Sequence, residues 1–154
     1  RTAFLEVISH DFPETRLTLR KGFTLGQIEW QPDENKSAIA VDILSVHLDF
    51  LRNSVRKQQI SDILRILETR KRPVIILGDF NSNWLVKDSV IRHLAECGET
   101  RVFEPHSINL GTYNSGEHRH RLNWVVLSTD LEYKRYEVLP DIVSDHQAKD
   151  VEVS

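Results

Sequence analysis

Val74-Ile75-Ile76-Leu77-Gly78-Asp79-Phe80-Asn81-Ser82 is the stretch from which the fold can be read. Four apolar residues in a row, bounded by Pro73 and Gly78, describe a strand without a polar face. Such a strand needs cover on both sides. The polar residues Asp79 and Asn81 follow immediately, and strand ends are where a rigid sheet can hold short polar side chains around one reacting atom.

Toward the N-terminus, Ile39 to Val46 predicts another strand, preceded by strands at Thr2 to Ile8 and Phe23 to Trp30 and a polar turn at Gln31 to Lys36. These read as antiparallel. Between Val46 and Pro73 the period changes, since Ile60, Ile63, Leu64 and Leu67 fall at helical spacing. Toward the C-terminus, Val90, Ile91, Leu94 and Ala95 share one face of a helix expected from about Asp88 to Cys97, with Gly98 as its stop. Glu104 to Arg121 reads as a long polar loop, and Glu117-His118-Arg119-His120-Arg121 as a solvated part of it in preference to a transition-metal site. Strands at Leu122 to Leu127, Tyr133 to Val138 and Lys149 to Val153 close the chain, with Pro140 between the last two. Helices between strands make the expected class an α/β sandwich of mainly antiparallel or mixed strands with flanking helices.

The 154 residues, 40% hydrophobic and 28% charged, suit one globular domain with a sizeable core. The formal charge of -3 lacks the basic excess of a nonspecific nucleic-acid binder. Cys97 is the only cysteine, so no internal disulfide forms. No apolar run approaches the roughly 20 residues of a membrane helix. The chain starts at Arg1 and contains no methionine, so a longer protein is expected.

The polar residues at strand ends are His47, Asp79 with Asn81, and Ser144-Asp145-His146 before the last strand. A carboxylate can hold a hard cation or orient water, an amide can hold a phosphate oxygen, and a histidine can move protons near neutral pH. Singly, each is better explained as a turn, a cap or a structural histidine. Their ordered combination changes that balance.

Ser45-Val46-His47-Leu48, then Leu77-Gly78-Asp79-Phe80-Asn81-Ser82, then Ser144-Asp145-His146 resembles the endonuclease/exonuclease/phosphatase superfamily in order and rough spacing. Arg121-Leu122-Asn123-Trp124-Val125 resembles the strand that precedes the family's final motif, so the match runs from about Ile39 onward. The resemblance implies a two-sheet α/β sandwich that hydrolyses phosphodiesters or phosphomonoesters with Mg or Mn at one edge. It implies His146 as the principal acid/base group, Asp79 as the residue that orients water, and Asn81 as a phosphate and metal contact. Asp145 would be a metal-side carboxylate, Asp79 would share the metal, and His47 would contact the scissile phosphate. The substrate that the resemblance implies would be a nucleic acid, a lipid headgroup or another small phosphoester.

The chain departs from the family pattern twice. The family's N-terminal asparagine and metal-binding glutamate have no counterpart before Thr2 to Ile8. Residues 1–154 are therefore expected to be the C-terminal part of one domain, inactive or weak in isolation, with an uncovered sheet face prone to self-association. Asn123 stands where the family usually has an aspartate paired with the final histidine; Asp141 is a candidate substitute carboxylate. A catalytically weak binding domain that retains the fold is the competing expectation.

Overall fold

The computed structural model describes residues 2–14, 21–31, 33–115, 118–140 and 144–154. Asp141 lies outside them.

Three antiparallel strands open the chain: β1 (Thr2–Asp11), β2 (Gly22–Trp30) and β3 (Ile39–His47). Helix α1 (Asn53–Arg70) then carries the chain to β4 (Val74–Asp79), which pairs parallel with β3. Helix α2 (Val90–Cys97), β5 (Thr100–Val102), a 3-10 turn at Ile108–Leu110, and the hairpin β6 (Tyr113–Ser115) and β7 (His118–His120) follow. The last strands are β8 (Asn123–Ser128), β9 (Tyr133–Val138) and β10 (Lys149–Val153). The main sheet has the order β1-β2-β3-β4-β8-β5, and β9 pairs with β10 in a second sheet. This is a mixed α/β sandwich.

Alternation along the strands separates two cores. Phe23, Leu25, Leu44, Val46, Ile76 and Val126 meet Ile60 and Ile63 of α1 and Ile91 and Leu94 of α2 on one face. Ile28, Val41 and Leu127 point the other way, where Tyr133 of β9 and Val153 of β10 pack against them. The doubly apolar β4 divides accordingly, Ile76 into the first core and Ile75 into the second. Along β1 the apolar side chains stay uncovered: Phe4 is 75% exposed and Val7 62%. No helix among the described residues is long and apolar enough to cross a membrane.

Strands β3 and β4 run one and two residues further than the apolar pattern suggests, so His47 and Asp79 are the last residues within their strands. Gly78 makes this extension feasible: its φ is +137°, and a Cβ there would lie 2.0 Å from the Val46 carbonyl oxygen. Helix α2 starts at Val90, two residues later than expected, because the Ser89 side chain accepts a hydrogen bond from the Arg92 N–H and caps it. The expected loop from Glu104 to Arg121 contains the 3-10 turn and the β6–β7 hairpin, elements of three residues each and too short to show a period. Arg121 at its end is buried and not solvated; its guanidinium lies 4.0 Å from the Trp124 ring and Nη1 donates to the Glu104 carbonyl at 2.8 Å.

Candidate active site

The strand register builds the site. His47 of β3 is paired with Asp79 of β4, and Asp79 is paired with Asn123 of β8. Paired residues on neighbouring strands share a face, so the three side chains form a row across one sheet edge. Phe80, fully buried directly after Asp79, anchors the chain beneath this edge.

His146 enters from the loop before β10. Ser144 Oγ accepts from its N–H at 3.0 Å, and the backbone of His146 bridges to Tyr113 of β6, whose ring packs 4.9 Å from the imidazole. Its Nδ1 lies 2.5 Å from Asn123 Oδ1, which also accepts from Thr112 Oγ1 at 3.0 Å. A carboxamide oxygen only accepts, so Nδ1 carries a proton, and in the neutral ring the lone pair is on Nε2. That Nε2 faces Asp79 Oδ2 at 3.9 Å. His47 Nε2 stands at the same 3.9 Å from Asp79 Oδ2.

At 3.9 Å neither imidazole forms a direct hydrogen bond with Asp79 Oδ2. The other oxygen, Oδ1, accepts from the Asn81 N–H at 2.9 Å, which fixes the carboxylate. Asn81 has a left-handed backbone, φ 47°, and its Nδ2 donates to the Leu48 carbonyl at 3.0 Å, tying the β3 and β4 ends together. The pKa of His47 is lowered, chiefly by burial and then by the Lys21 ammonium, against the opposing pull of Asp79.

Thus His47, Asp79, Asn81, Asn123 and His146 stand in one connected group. Asp145 is exposed on the turn beside His146, and among the described residues no hydrogen bond or ion pair joins its carboxylate to Asp79 or Asn81. Sequence reasoning missed three neighbours. Thr112 holds Asn123, Tyr113 packs on His146, and Lys21 places its Nζ 2.9 Å from His47 Nε2. None has a local signal, because each acts through a partner at least eleven residues away.

This fold and this edge define an α/β sandwich with a histidine–carboxylate–amide centre. The endonuclease/exonuclease/phosphatase family model matches residues 9–146, and the chain belongs to that family. Solved structures share the fold. A mannosyl-6-phosphatase of Bacteroides thetaiotaomicron superposes with a TM-score of 0.78 at 17% identity, over 99% of this chain and 67% of that one. The human Nocturnin catalytic domain with bound sulfate gives 0.72 at 16% identity, over 100% and 60%. TDP2 of D. rerio in complex with a single-strand DNA product gives 0.71 at 16% identity, over 100% and 69%. The chain therefore spans about two thirds of the length of these structures. No curated protein matches it in sequence.

Proposed function

We propose that the protein hydrolyses phosphoesters, either diesters or monoesters, with the help of a divalent metal ion. The observation that carries this reading is the in-register row His47, Asp79, Asn123 closed by His146, whose Nε2 lone pair faces Asp79 Oδ2. In this reading Asp79 orients a water molecule and His146 Nε2 takes its proton as the oxygen attacks phosphorus. The bond from phosphorus to the leaving oxygen breaks without a covalent enzyme intermediate. His47 faces the scissile phosphate from the far side of Asp79, and Asn81 contacts a phosphate oxygen. The mannosyl-6-phosphatase and the DNA-bound TDP2 among the fold's relatives agree with phosphoester chemistry and leave the choice among nucleic acid, lipid headgroup and small ester to experiment.

Asp79, Asp145 and the Asn81 oxygen are hard donors that suit Mg or Mn, and they would hold the ion. Bound there, it would supply positive charge to a phosphoryl oxygen. The donors fit in type and are short in number: among the described residues no three His, Cys, Asp or Glu stand close enough together to hold an ion. A further glutamate from a more N-terminal part of the same domain would complete the set, and the greater length of the solved relatives supports placing residues 1–154 as a C-terminal part. The direct test is turnover of 4-nitrophenyl phosphate and bis(4-nitrophenyl) phosphate by the full-length protein with Mg or Mn, before and after chelation. No turnover of either ester with either metal would sink the enzymatic reading. Phosphate binding without turnover would instead favour a catalytically weak binding domain, the reading motivated by Asn123 and the sparse donor set.

Self-association of the 154-residue segment belongs to the same proposal. Phe4, Leu5 and Val7 form an exposed apolar strand at the sheet edge, which soluble monomers rarely leave open. Sedimentation is expected to show concentration-dependent dimers or larger species that Phe4→Lys/Val7→Lys reduces. A monodisperse monomer at all concentrations would contradict it.

A further inference from the structure

We propose that Lys21 is a phosphate-binding residue of this edge and biases it toward phosphomonoesters over phosphodiesters. The inference rests on the phosphoesterase reading. Lys21 stands directly before β2, where its carbonyl accepts from the Phe12 N–H at 2.9 Å and the following Gly22 pairs with Asp11. Because Phe23 pairs with Val46, the start of β2 lies beside the end of β3. The lysine is thereby delivered to His47, with Nζ 2.9 Å from Nε2.

An ammonium has three donors and no acceptor, so Lys21 donates and His47 Nε2 accepts. The ring proton of His47 then sits on Nδ1, and the charge at this end of the row belongs to the lysine. Among the described residues no carboxylate forms an ion pair with Lys21. Its ammonium stands beside a His47 side chain that is 57% exposed, with the Asp79 carboxylate on the far side of the imidazole. The opposite end of the row is closed by His146 and Asn123.

A fixed cation attracts a dianion more strongly than a monoanion at the same place. A phosphomonoester has three non-bridging oxygens and carries about two charges near pH 7, whereas a diester has two such oxygens and one charge. The third oxygen of a monoester gives the remaining Lys21 donors an acceptor, with charge-assisted strength. In a diester the corresponding oxygen is esterified.

The test uses the full-length protein, Lys21→Met and Lys21→Arg, with 4-nitrophenyl phosphate, bis(4-nitrophenyl) phosphate and inorganic phosphate as a competitive inhibitor. Lys21→Met is expected to lower kcat/KM on the monoester about tenfold and on the diester no more than about twofold, and to weaken phosphate inhibition about tenfold. Lys21→Arg is expected to restore most of both. Equal losses on the two esters, or unchanged phosphate inhibition, overturn the proposal. If the wild type turns over neither ester, the phosphoesterase reading fails; calorimetric titration with phosphate then decides on Lys21 by itself. Equal phosphate affinity of wild type and Lys21→Met, or no phosphate binding at all, overturns it.

Discussion

His146→Ala is expected to lower kcat on a phosphoester by about a thousandfold in the full-length protein, within the range usual for removal of a positioned acid/base group. The ring is held on three sides: by Asn123 Oδ1 at Nδ1, by the Tyr113 ring, and by the Ser144 turn under its backbone. This leaves Nε2 directed at the Asp79 carboxylate. The same geometry makes Asn123→Asp an expected gain, on the order of tenfold, because a carboxylate accepts the same hydrogen bond and also favours the charged imidazolium. Thr112 Oγ1 already donates to this position and would do so to either side chain. The acid/base range of His146 is expected to extend to higher pH in Asn123→Asp. The two residues act as a unit, so the gain is expected to vanish in the His146→Ala background. Rates of the four proteins across pH provide the check. An Asn123→Asp gain of equal size without His146 would refute the pairing.

The strands were legible where burial imposes a period. In β2 and β3, Leu25 and Leu44 turn toward the helices while Ile28 and Val41 turn away, and the sequence carries that division directly. The chemistry-bearing residues were also legible as types at strand ends. Their alignment was not. His47, Asp79 and Asn123 form a row only because β3 pairs parallel with β4 and β4 antiparallel with β8, and neither pairing is encoded near those residues. Lys21 lies 26 positions from His47 and becomes its neighbour through the β1–β2–β3 register. Arg121 shows the reverse error. Its polar surroundings suggested solvent, yet the Trp124 ring and the Glu104 carbonyl give it a buried place. Arg70, at the end of α1, is likewise drawn inward and bonds the buried Asp42 carboxylate at 2.5 Å.

Between pH 7 and pH 9 the protein is expected to gain up to about 3 kcal/mol of stability from Lys149 alone. Lys149, the first residue of β10, is half-buried. The amine donates to the Asn123 carbonyl oxygen and to the Tyr136 hydroxyl, and lies 5.1 Å from the Tyr136 ring. Burial, and secondarily the Arg121 guanidinium, lower its pKa from 10.5 to about 6. The sign follows from proton binding. Between these values the unfolded chain holds a proton on this lysine that the folded protein does not, so raising the pH favours the folded state. The slope is at most about 1.4 kcal/mol per pH unit for one group. Below this window His47, whose pKa is also lowered, adds a slope of the same sign. Above it, the partly buried Tyr133, whose pKa is raised well above the ordinary tyrosine value chiefly by loss of solvent, opposes further gain because the unfolded tyrosine ionises first. Lys149→Met retains most of the apolar stem and cannot titrate. Urea unfolding of wild type and Lys149→Met at pH 7, 8 and 9 is therefore expected to show a rising stability only in the wild type, relative to the variant. Parallel pH dependences would mean that Lys149 keeps its proton in the folded state, with the Tyr136 ring and the Trp124 ring, 5.8 Å from the amine, compensating for the water it has lost.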